Sequence, residues 1–421
     1  MLTRLRLRDF KSFDDASLEL GGLTVIIGVN ASGKSNIRDA LRFLHGIGRG
    51  YSLAEIIGGK YGEGGYREWS PLRGTTNEII RFGQEAFALR IEADTPEGFQ
   101  LDYEIEVVRD HQRGTFLLRS ESLQTREQFW KPSIFQQLPD PDDADDPDDM
   151  AFRLRASEGS RGQGKRLTLR RDRPALTQLV TKAGVSPALR AMIAAMVSAL
   201  AEIRFLDLSI EAMRQPSFPG QTVLGEGGEN LATVLQAICA DDERKRTLIA
   251  WISELTPLEV ADFAFETDAT GRVLLFIVDG DGSRTSSFSA SDGTLRFLAM
   301  AASLMDTKSS GLLFFEEIDN GLHPSRMRIL TELIERRVAL SRIQVVTTTH
   351  SPDLLTIVGD DTFRSTSLVY RAPDRPCSIV RRVADLPHVV KLREEQTLGR
   401  LHASGWFEDV VYFDETPEAA E

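Results

Sequence analysis

A chain of 421 residues in which 41% of the side chains are hydrophobic and 27% charged is long enough for two or three lobes around a sizeable core. Its net charge of −13 argues against a generally basic nucleic-acid coat, although a local basic patch stays open. No apolar run suits a bilayer: the best, Ala191 to Ala201, is short and bracketed by Arg190 and Glu202, so no membrane partner is expected.

The N-terminus enters an alternating pattern at once, with Leu2, Leu5 and Leu7 set among Arg4, Arg6 and Arg8. This predicts strands over 1–20 and leaves no room for a signal peptide. Cys239 and Cys377 stand far apart without metal-ligand companions, so a reducing, cytoplasmic setting is expected. Leu23 to Ile27 is a short apolar, β-branched run of the kind buried on both faces of a sheet. GVNASGKS follows at 28–35. Its glycines, Gly28 and Gly33, allow a tight turn whose N–H groups point inward at triphosphate oxygens. Lys34 would reach the terminal phosphates of a nucleoside triphosphate, and the Ser35 hydroxyl would take a place on Mg²⁺. Bare patterns of this kind arise by chance, so the setting decides: a buried strand before and a helix after. Ile37, Leu41 and Leu44 recur at helical spacing, with Gly46 and Gly48 expected to end the helix. The helix N-terminus would then face the anion.

From Glu85 to Leu123 the chain reads as antiparallel ribbon. Residues 139–149 are nearly all Asp and Pro, which predicts a solvated, mobile loop rather than a calcium site. The basic segment RGQGKRLTLRRDR, 161–173, reads as a solvated hairpin or as a contact to a phosphate backbone. A helix is predicted at 187–202, then a strand in IRFLDL, another helix from Asn230 to Leu255, and strands in ADFAFET and RVLLFIVD.

Three later stretches belong with the glycine loop. In SFSASDGTLRFLAM, 287–300, the polar loop through Ser291, Asp292, Gly293 and Thr294 opens a helix with Leu295 and Leu298 on its apolar face. That second helix N-terminus suits another phosphate contact, most economically on the nucleotide held by a second copy of the chain. GLLFFEEID, 311–319, is a buried strand ending in two acids and expected beside the glycine-loop strand. Glu316 would hold Mg²⁺, and Glu317 would orient the attacking water and accept its proton. IQVVTTTHSPDLL, 343–355, ends a strand in Thr349-His350, and a His at that edge can donate to a γ-phosphate oxygen. Ser351 and Asp353 beside it do not make a hydrolytic triad, because no nucleophile elbow or oxyanion hole accompanies them.

These four stretches, in this order, resemble the ATPase heads of the ABC superfamily, and within it the RecF/SMC/OLD-like branch of compact bacterial AAA-family ATP-binding proteins. FKSF at 10–13 with GVNASGKSN resembles that branch's N-terminal block, FSASDGTLRFLAM its signature, FFEEIDNGLHP its Walker B and D-loop, and TTTHSPDLL its switch-histidine segment. MRQPSF and GEGGENLATVL, within 213–235, are also similar to this group. The resemblance implies an α/β P-loop head with an antiparallel β-subdomain and a helical signature lobe, without a coiled-coil arm. It also implies that Lys11 and Ser12 lie near the nucleotide, that Asn30 and Ser32 belong to the ATP-binding loop, and that Asn36 supports it. Asn320 and His323 fall in the D-loop, and Gln84 is the candidate Q-loop glutamine on the metal. Ser291, Asp292 and Gly293 would clamp ATP in trans, in a homodimer that closes on two ATP molecules.

The organisation expected is a first ATPase lobe at 1–125, an insertion at 126–205, a second ATPase lobe at 206–385 and a C-terminal helix with an acidic tail at 386–421. No nuclease cluster follows His350, so the head's work would pass to a partner such as a nuclease. RecF-like DNA maintenance and a non-hydrolysing scaffold are the competing readings. Trp406-Phe407 near the end either docks a partner or covers the last lobe.

Overall fold

The computed structural model describes all residues except 127–132, 138–147, 155–163, 256–259, 307–310, 372–375, 408 and 411–421. Most of the Asp/Pro stretch and the acidic tail therefore lie outside the described residues. Among the described residues, fourteen strands form one sheet. Its antiparallel part runs from Lys165–Arg170 at one edge through Asp149–Leu154, Ser133–Gln137, Thr115–Thr125, Gln100–Asp110 and Ala86–Asp94 to the N-terminal pair Leu2–Phe10 and Phe13–Glu19. Ser378–Arg382 and Ser367–Arg371 then join it to a parallel group ordered Leu23–Ile27, Ile343–Thr349, Gly311–Phe315 and Arg204–Leu206.

The period of the side chains explains where each strand sits. In Leu2–Phe10 the leucines are buried, while Arg4 and Arg6 reach across the hairpin to Glu19 and Asp15. All five residues of Leu23–Ile27 are buried, as a parallel strand covered on both faces requires. Ile26, Phe314 and Val346 face one apolar core, shared with the helices Lys34–Gly48 and Pro187–Ala201. Val25, Ile27, Phe315 and Val345 face a second core, shared with Asp292–Leu304 and Pro324–Leu340. Phe407 is fully buried in this second core with Trp406 packed against it, so the C-terminal aromatic pair covers the lobe.

Several expectations need correction. The strand carrying the two glutamates is not beside the glycine-loop strand: Ile343–Thr349 pairs in parallel with both and separates them. Hydrophobic runs report burial on both faces but not which strand lies next door. The helix expected from Asn230 to Leu255 is two helices, Leu231–Cys239 and Asp242–Leu255, because the Asp241 carboxylate accepts from the N–H groups of Glu243 and Arg244 and starts a new one. The basic segment 161–173 contributes the edge strand Lys165–Arg170, with Lys165, Arg166 and Arg170 exposed and Leu167 and Leu169 buried.

Gly46 does not end the first long helix, which runs on to Gly48. Both glycines are there for packing: a Cβ on Gly48 would lie 2.3 Å from the backbone nitrogen of Ala201 in the neighbouring helix. Gly48→Ala is therefore expected to destabilise the protein by about 2 kcal/mol in urea unfolding, helix propensity notwithstanding. A raised unfolding midpoint would contradict this packing.

The antiparallel part also buries a carboxylate. Glu121 is 1% exposed and accepts from the Tyr103 hydroxyl at 2.9 Å and from the backbone N–H groups of Ala175 and Leu176 at 2.6 and 2.8 Å. Burial outweighs these donors and pushes its pKa up from 4.5 to about 7. A carboxyl whose folded pKa is raised gives its full stabilisation below the unfolded value and loses it as pH rises through the folded one. Stability should thus fall by up to about 3 kcal/mol between pH 4.5 and 7 from this group, and the difference between wild type and Glu121→Gln should vary across that window. A pH-independent difference would show the three donors holding the carboxylate ionised throughout.

Candidate nucleotide site

The glycine loop closes over the C-terminal end of Leu23–Ile27. Gly28 has φ +157°, and a Cβ there would lie 2.2 Å from the carbonyl oxygen of Val369. A Cβ on Gly33, φ +118°, would meet the hydroxyls of Ser378 and Ser12 at 2.6 and 3.0 Å. Only glycine fits either position. Between them, Val29, Asn30 and Ala31 are exposed at the tip, and Ala31 takes a left-handed φ of 62°. Among the described residues the helix Lys34–Gly48 begins without a side-chain cap; the Asn36 N–H donates to the Gly33 carbonyl at 2.9 Å, and the helix end with the N–H groups of Lys34 and Ser35 faces the loop's contents. Ser32 Oγ is buried and has no hydrogen-bond partner among the described residues.

Lys34 folds back so that Nζ donates to the carbonyls of Gly28 and Val29 at 2.5 and 3.0 Å. Burial lowers its pKa to about 8, against the pull of Glu317 and Glu316. FKSF lies alongside. Lys11 donates to Asp39 and to the Arg73 carbonyl, and Ser12 Oγ receives Asn36 Nδ2 and Ser378 Oγ at 2.7 Å each.

The two glutamates come into this site from the far side of the histidine strand. Ser35 Oγ donates to Glu316 Oε1 at 3.4 Å, across 281 residues of sequence. Glu317 has the left-handed φ of 49°, and its N–H donates to Thr348 Oγ1 at 3.0 Å. That turn aims its Oε1 to 3.9 Å from His350 Nε2. Burial and then the Lys34 charge hold the His350 pKa below its ordinary value, which favours the neutral imidazole. A hydroxyl and a carboxylate side by side are hard oxygen donors of the kind Mg²⁺ takes, and the partnerless Ser32 hydroxyl and uncapped helix end suit phosphate oxygens. These residues fit a magnesium-bound nucleotide.

The site also holds side chains that the sequence reading missed. Arg73 donates to the Ser35 carbonyl at 2.5 Å and approaches Asp39 and Glu316 to 3.1 and 3.5 Å. Arg38 approaches Glu316 to 3.6 Å and Glu226 to 2.9 Å. Gln84 sits exposed in a turn, with its N–H on the Arg81 carbonyl, and Arg73 is the long polar side chain that meets Ser35 and Glu316. Arg73 lies in a loop without periodicity, where no pattern could single it out. Arg38 is the fourth residue after Lys34 and stands one turn before Arg42 on the same helix face, where the sequence alone assigns both to solvent.

At the signature stretch, Ser291 caps the helix Asp292–Leu304, its Oγ accepting from the Thr294 N–H at 3.2 Å. Asp292 is paired with Arg214 of MRQPSF at 2.8 Å. Gly293 packs on the turn after Glu317, where a Cβ would lie 2.9 Å from the Gly321 carbonyl. Asn320 donates its N–H to the Glu317 carbonyl at 2.9 Å, and the His323 carbonyl receives Arg326 and Met327 as the next helix starts.

Among solved structures, the chain is similar to an SMC head bound to the C-winged helix domain of ScpA, at 16% identity over 90% of this chain and 97% of that one, TM-score 0.47. It is also similar to the SMC head domain from Thermotoga maritima, at 14% identity over 91% and 98%, TM-score 0.42. A third is the SMC head with an extended coiled coil bound to the C-terminal domain of ScpA, from Pyrococcus furiosus, at 16% identity over 94% and 98%, TM-score 0.47. No curated protein matches the chain. Among the described residues, no helix is long and apolar enough to cross a membrane. A family model described as "AAA domain, putative AbiEii toxin, Type IV TA system" matches residues 23–356, a span that holds the glycine loop, the signature stretch, both glutamates and His350, and the chain belongs to that family.

Proposed function

We propose that this protein is a magnesium-dependent ATP hydrolase, two copies of which close on two ATP molecules and open after hydrolysis to switch a partner effector. The observation that carries the reading is the meeting of Lys34, Ser35, Glu316, Glu317 and His350 at the ends of three adjacent parallel strands. Lys34 and the loop N–H groups would grip the phosphates; Ser35 and Glu316 would hold Mg²⁺, which supplies charge neutralisation on the β- and γ-phosphates. Glu317 would orient water and take its proton, and His350 would donate to the γ-phosphate. Lys11, Ser12, Asn30 and Asn36 would border the nucleotide, while Ser291, Asp292 and Gly293 would meet the partner's. Interactions made only in the closed, ATP-bound pair bias an open–closed equilibrium.

The family's description names a toxin–antitoxin system, which supports an ATPase subunit in bacterial antiviral defence, working in the cytoplasm with an effector such as a nuclease. Co-purification with the product of a neighbouring gene, dependent on ATP, tests this; a chain that stays alone with every neighbour contradicts it. The exposed Lys165, Arg166 and Arg170 on the edge strand favour DNA as the alternative partner. That reading requires binding that strengthens with ATP and weakens steeply with salt.

A further inference from the structure

The helix after the glycine loop carries two arginines one turn apart, Arg38 and Arg42, whose side chains are each only 9% exposed. Both converge on Glu226: Arg42 holds its two oxygens at 2.6 and 3.3 Å, and Arg38 holds Oε1 at 2.9 Å. Arg42 is fixed further by lying over the rings of Trp69 and Phe205, at 4.9 and 5.5 Å from their centroids. Arg38 is shared. Among the described residues its carboxylate partners are Glu226 and, at 3.6 Å through Nε, Glu316.

Glu226 belongs to the GEGGEN loop, and that loop is fastened in place. The Glu226 carbonyl receives the Asp207 N–H at 2.9 Å, and the Gly227 carbonyl receives the Ser209 N–H at 3.0 Å. The Asn230 side chain accepts from Gly225 N and donates to the Val223 carbonyl, both at 2.8 Å. The carboxylate is therefore presented to the arginines by a built turn rather than by a free surface chain.

We propose that Glu226 is a positioning residue for the metal-binding carboxylate: it engages the Arg38 guanidinium and so limits its approach to Glu316 Oε2, Arg73 standing 3.5 Å from the other oxygen, Oε1, in either case. The inference rests on the ATPase reading. Buried cations keep carboxylate partners, because leaving one unpaired is strongly destabilising. With Glu226 neutralised, Arg38 closes on Glu316, and a guanidinium on that carboxylate competes with the metal. The added positive charge does not oppose ATP itself, whose phosphates are anionic. Mg²⁺ dependence and nucleotide affinity should therefore separate.

The test titrates MgCl₂ against binding of a fluorescent ATP analogue to the full chain, with a parallel series in EDTA. Glu226→Gln is expected to raise the Mg²⁺ half-saturation about tenfold while binding in EDTA stays unchanged or tightens. Adding Arg38→Gln to Glu226→Gln should return the Mg²⁺ half-saturation towards wild type, which a merely structural role for Glu226 would not do. An unchanged Mg²⁺ requirement in Glu226→Gln overturns the proposal, as does an equal loss of binding with and without Mg²⁺ alongside a lowered unfolding midpoint. A wild type that binds no nucleotide overturns the ATPase reading itself, and this inference with it.

Discussion

Glu317→Gln is expected to lower ATP turnover by about two orders of magnitude or more while leaving ATP binding intact. Glutamine matches glutamate in size, and the two contacts that aim position 317 are backbone ones: its N–H on Thr348 Oγ1 and its carbonyl under the Asn320 N–H. Both survive the substitution, so the side chain should still lie near His350. What disappears is the proposed proton acceptor. The phosphate grip, built from Lys34, the loop and the helix end, is untouched. Steady-state phosphate release together with equilibrium ATP binding checks this, and wild-type turnover in the variant would reassign the general base.

Lys34→Ala has the second large effect. Its ammonium is buried against two loop carbonyls with a pKa lowered to about 8, so the nucleotide-free protein bears a desolvated cation that only anionic phosphates would fully compensate. Removing it should weaken ATP binding by roughly a hundredfold to a thousandfold, as truncating one partner of a buried charge pair does. The nucleotide-free unfolding midpoint should hold or rise, because the desolvation cost goes with the charge. Calorimetric titration and thermal unfolding read both. A variant that binds ATP normally would place the phosphates elsewhere, and one that simply unfolds would make Lys34 structural.

Much of this site was legible in the sequence because its parts are contiguous. Leu23–Ile27, the glycine loop and the first helical turn form one continuous stretch, and each later strand carries its acid or histidine at its own end. Long-range order was not legible. Nothing in FFEE or TTTH says that the histidine strand stands between the other two. Asp241 looked like one more polar residue on an amphipathic helix until its side chain was seen capping a new one. Gly46 and Gly48 read as a stop; the helix does end at Gly48, but both glycines also sit where Ile56 and the Ala201 backbone come too close for a Cβ. Arg38 and Arg42 would ordinarily be assigned to solvent; they are buried because Glu226, brought in by a distant loop, pairs with them. Pairing of that kind depends on topology, which local periodicity does not carry.

The measurement closest to the centre of the account is the solution mass of Glu317→Gln by light scattering, with and without Mg-ATP, in the presence and absence of Ser291→Arg. Gripping of each nucleotide by two chains predicts that Mg-ATP doubles the mass and that Ser291→Arg abolishes the doubling without abolishing ATP binding. A chain that is saturated with Mg-ATP and still runs as a single copy would contradict it.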